Sequence, residues 1–140
     1  MHITAAEDKS IVEMVIEDWY SMSLHEKQRR SDQQVVKILQ WLNEGEDYGI
    51  DEINKTITFP INKIFPRYEE WRRSTNATSE HLERYSLTQQ LQKESFFITS
   101  KAVRFGEQIL RSYICDLTKM QHLIIPNWLE KVGLVKEGEK

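Results

Sequence analysis

With one cysteine, Cys115, the chain has no internal disulfide framework, and a reducing, cytoplasmic setting is expected. The opening residues MHITAAEDKS lack the apolar run of a secretory signal, and no apolar stretch is long enough to span a bilayer. No membrane partner is therefore expected. There is no GxxxxGK[ST] loop to cradle a nucleotide phosphate. The four histidines (His2, His25, His81 and His122) are isolated from one another, and none lies four residues from a second one. This spacing offers no standard metal ligand set, so neither a metal nor another cofactor is expected. Cys115 follows Tyr113 and Ile114, company that suits an inert buried thiol rather than a nucleophile. The acidic pairs Glu46-Asp47, Asp51-Glu52 and Glu69-Glu70 are adjacent in sequence. Neighbouring side chains point apart, whereas acid–base catalysis needs carboxylates that converge in a cleft. No catalytic constellation emerges, and the expectation is a protein that is not an enzyme. Internal repeats and low-complexity tracts are also lacking.

The chain is long enough, at 140 residues, to bury a core in one domain with a helical appendage. Its four tryptophans (Trp19, Trp41, Trp71 and Trp128) are widely spaced and belong to apolar faces, where packing is their expected role. The net charge of −3 conceals an asymmetry: residues 1–59 hold 6 Lys/Arg against 12 Asp/Glu, and residues 60–115 hold 9 against 6. The basic excess lies in the second half, where a polyanionic partner would be met.

Helical spacing of Ile11, Val12, Val15, Ile16, Trp19 and Tyr20 predicts a helix over 8–22, with Asp8 or Ser10 as its cap, and the polar stretch 23–30 reads as a helix end or a connector. Ser31 with Gln34 forms a capping-box pattern ahead of Val35, Val36, Ile38, Leu39 and Leu42, and Gly45 ends that second helix. Residues 44–54 read as an acidic turn and 55–59 (KTITF) as a short strand. Pro60 and Pro66 bracket a turn at 61–65, with a helix starting at Pro66 and packing through Tyr68 and Trp71. Ser86 caps a helix over 86–94 that turns Leu87 and Leu91 inward. A last helix begins at Pro126 and stops at Gly133. Residues 100–119 fit two descriptions. Ala102, Val103, Gly106, Ile109, Leu110, Tyr113, Ile114 and Leu117 fall at helical spacing, while FFIT and ILRSYIC around Phe105-Gly106-Glu107 read as a hairpin.

Three segments carry a family resemblance over about Val35 to Met120: ITFPINKIFPRYEEW, SLTQQLQKESFFI and SKAVRFGEQILRSYICDL. They resemble, in order, the small strand and Tyr/Trp helix, the recognition helix, and the basic wing of the C-terminal winged-helix domain of phage, plasmid and mobile-element primase-helicases. The chain lacks the helicase motor, and residues 75–85 and the acidic first helices fit that pattern less well. The resemblance favours the hairpin. It implies a mainly α fold with a small β-hairpin: a winged helix-turn-helix (46–120) with an N-terminal helical hairpin (1–45) and a C-terminal helical tail (121–140). It further implies non-catalytic DNA binding, on duplex or single strands, in replication beside a helicase or primase. Gln89, Gln92 and Lys93 would lie on the recognition helix, whose own spacing exposes Thr88 beside them, and Lys101 and Arg104 on the wing. Arg72, Arg73 and Arg111 would add backbone contacts. The alternative is an all-α adaptor that docks a protein.

Overall fold

The computed structural model describes residues 9–29, 42–75 and 83–134. Helix α1 spans Ile11–Arg29. A short hairpin follows, of β1 (Gly49–Asp51) and β2 (Thr56–Phe59), then helices α2 (Ile61–Thr75) and α3 (Arg84–Leu91). A long hairpin of β3 (Phe97–Phe105) and β4 (Gln108–Asp116) leads through a 3₁₀ turn to α4 (Pro126–Lys131).

All four strands join one antiparallel sheet in the order β1-β2-β4-β3. This overturns the expectation of a mainly α fold with a small β-hairpin. Two strands of nine residues each, widened by β2 and β1, make a substantial four-stranded sheet in place of a lone hairpin. The stretch 100–119 falls within these strands and the turn after them, not in a helix. β-branched and aromatic side chains at 97–99 and 113–114 suit the pleated surface better than a helical turn.

Ser10 caps α1 reciprocally with Glu13: the Glu13 amide donates to Ser10 Oγ (3.1 Å) and the Ser10 amide to Glu13 Oε1 (3.0 Å). The helix continues to Arg29, so the polar stretch after residue 22 is the end of α1 and not a connector. The expected second helix, with Ser31, Gln34 and Val35–Leu39, lies outside the described residues. At its expected end, Gly45 holds φ +93°, a left-handed value open to glycine. Pro66 does not start α2 but lies inside it. Ile61, Ile64, Phe65, Tyr68 and Trp71 are all buried at helical spacing, and that burial outweighs the backbone hydrogen bond lost at Pro66. Similarly, α3 starts two residues before Ser86, with Glu83 at its N-cap.

The core lies between the sheet and the helices. Trp19 of α1 meets Phe59 of β2 at 4.8 Å between ring centroids, and Phe59 meets Trp128 of α4 at 5.9 Å. Tyr20 and Tyr48 close on Trp128 at 5.2 and 5.1 Å. Aromatic pairs of this kind add roughly 0.5–1.5 kcal/mol each beyond their buried area. α1 is tied to distant segments: Ser10 Oγ donates to Glu94, His122 bonds Glu13, and the Ile124 amide donates to Glu17. Among the described residues, no helix is long and apolar enough to cross a membrane.

Candidate nucleic-acid interface

Leu87 and Leu91, one turn apart, are buried and hold α3 against the body. Each contributes roughly 1.5–3 kcal/mol through burial. At 100° per residue, Tyr85, Gln89 and Gln92 then fall on the opposite, solvent side. All three are exposed, Tyr85 at 72%. Thr88 lies at the flank, half-buried, and its hydroxyl donates to the Tyr85 carbonyl (2.9 Å), so it serves the helix backbone. Lys93 is exposed just beyond the helix end.

The β3–β4 hairpin turns at Gly106-Glu107. Gly106 has φ +62°, the requirement at the first position of a type II′ two-residue loop. With Phe105 paired to Gln108, Arg104 stands opposite Ile109 and Ala102 opposite Arg111. Directly opposed residues share a face, so Ala102, Arg104, Ile109 and Arg111 form one surface, and all are exposed. Arg104 and Arg111 are diagonal neighbours on it. Along β4 this face also carries Tyr113 and the buried Cys115, which places it on the helix-bearing side of the sheet.

The opposite face of the hairpin is tucked in. Phe105 and Ser112 are buried there, and Val103 and Leu110 are half-buried. Phe105 lies over β1, close enough that a Cβ on Gly49 would meet its ring at 3.6 Å. Where β2 ends, the hairpin therefore does not wave free: Phe105 pins its tip to β1.

These faces sort the expected basic residues. Arg104 and Arg111 come together. Lys101, opposite Ser112, points to the other face. Arg72 is half-buried with its guanidinium 5.9 Å above the Tyr68 ring, so its place is in the packing of α2. Arg73 is exposed in the last turn of α2, about 16 Å along the axis from Asn62, where Arg84 of α3 bonds. Among the described residues, none of Lys93, Lys101, Arg104 and Arg111 forms an ion pair.

Sequence reasoning passed over Tyr85 and Ile109. Tyr85 lies just before the helix expected to begin at Ser86, although it precedes Gln89 by four residues and Gln92 by seven. Ile109 looked like a core position, although a loop at Gly106-Glu107 pairs it with Arg104.

Elsewhere, Asp47 is buried and accepts from the Asn43 amide (2.7 Å) and Arg67 (2.9 Å), with Lys63 at 3.4 Å. This cluster fastens the 42–48 loop to α2. Burial pushes the Cys115 thiol far up from its ordinary range, which makes it a poor nucleophile. The described residues contain no cluster of three His, Cys, Asp or Glu side chains suited to a metal ion. Comparisons with protein-family models, curated proteins and solved structures find no match. The likeness to primase-helicase C-terminal domains therefore rests on its short motifs alone.

Proposed function

We propose that this chain is a non-catalytic DNA-binding module. Its contact surface is the Tyr85–Gln89–Gln92 stripe of α3 together with the Arg104–Ile109–Arg111 face of the β3–β4 hairpin. One observation carries the reading: two arginines lie side by side on a pinned hairpin, unmatched by any carboxylate among the described residues, on the sheet side that bears α3. Adjacent guanidiniums repel one another, and a row of phosphates relieves that repulsion. Exposed glutamines on a helix supply amides that can pair with adenine edges in a major groove. Replication of a phage or mobile element, beside a primase-helicase, is the setting the motif resemblance suggests. The all-α adaptor is not the fold this chain adopts.

Anisotropy titrations with duplex and single-stranded DNA across a salt series test the proposal. Affinity should fall steeply with salt, since phosphate contacts release counterions. Arg104→Ala with Arg111→Ala should weaken binding to all sequences and lower the log–log salt slope by about two, roughly one per lost phosphate contact. Both residues are exposed, so thermal unfolding should be unchanged. Normal binding by the double variant would show that DNA contacts a different surface.

A further inference from the structure

On the same reading of this surface, we infer that Ile109 is a wedge that enters between base pairs, so that the protein prefers DNA whose stacking is already broken. Ile109 is 61% exposed, directly opposite Arg104 and diagonal to Ala102, with Arg111 two residues along its own strand. A branched apolar side chain flanked by two arginines on one face cannot be buried by phosphates, which the arginines would engage. It can be buried by the faces of bases, once a step has opened.

The hairpin is built to hold such a wedge. Its two-residue turn keeps the tip narrow, and Phe105, seated over Gly49, fixes the tip from behind. Ile109 is β-branched and has few rotamers in a strand, so little freedom is lost when it inserts. The smaller Ala102 beside it leaves room for the base pair above. Exposed Tyr85 on α3 adds a second apolar surface for an unstacked base.

Unstacking is costly in an intact duplex and nearly free where pairing is already lost. The test compares two duplexes that differ only in a short central mismatched bubble, titrated against the wild-type protein and Ile109→Ala. The wild type should bind the bubble at least about tenfold tighter than the intact duplex, the return from one pre-opened step. Ile109→Ala should lose that preference and bind both duplexes equally, with a weaker hold on each, while its salt slope stays that of the wild type because both arginines still meet phosphate. Equal wild-type affinities, or a preference that survives in Ile109→Ala, would overturn the wedge while leaving the DNA-binding surface standing. Absence of binding to either duplex at low salt would overturn both.

Discussion

Asp47 shows what one residue can hold. Its carboxylate is 1% exposed and gathers a backbone amide and two cations. Removing it leaves the Asn43 amide without its acceptor, while Lys63 and Arg67, each about a quarter exposed, can turn to water. Asp47→Ala should therefore cost about 1–3 kcal/mol, less than the loss of a fully buried pair, read as a lower urea midpoint at constant m-value. Asp51 contrasts with it: fully exposed, it is held below the usual carboxylate range, first by the backbone amide of Asn54 and then by that residue's side chain. It organises the β1–β2 turn, where Lys55 takes φ +59°.

Helix α2 raises a question that belongs to the element. Pro66 interrupts its hydrogen-bond ladder, yet the buried row from Ile61 to Trp71 keeps the helix continuous. Pro66→Ala should restore the bond to the Asn62 carbonyl and stabilise the protein by about 1–2 kcal/mol net of the greater freedom of the unfolded chain, visible as a higher Tm. This also explains why sequence reasoning started the helix five residues late: it weighed the proline and not the row beneath it. The pattern TITF was legible because Ile57 and Phe59 alternate into the core. β1 was not, because three residues carry no measurable period. In β3–β4 the apolar positions satisfied both a helical and a strand spacing, and only the pairing across Gly106-Glu107 separates them. That pairing also decides which basic residues meet. Lys101 and Arg104 are close in sequence, but an odd separation along a strand places them on opposite faces.

At the scale of the whole molecule, burial of Cys115 on the core face of β4 reports on global opening. The thiol should resist maleimide in the native state and react at the rate of unfolding. Below the ordinary thiol value of 9.0, folded and unfolded chains both hold the proton and the contribution to stability is complete. As pH rises past that value the unfolded chain releases a proton that the folded chain retains, and stability falls. Tyr48, raised chiefly by burial, acts in the same direction at higher pH. Thermal scans should show a declining Tm on the alkaline side, with a shallower limb in Cys115→Ala. The strand order has a consequence in time. β2 pairs with β4, from Phe59 with Tyr113 to Thr56 with Asp116, so the central seam of the sheet joins segments 54 to 60 positions apart. At a synthesis rate of about 5–20 residues per second, β2 waits roughly 3–12 s for its neighbour to be made. For that interval on the ribosome Phe59 can reach Trp19 of α1 but not Trp128, and the edge of β2 that β4 will cover stays open to other strands.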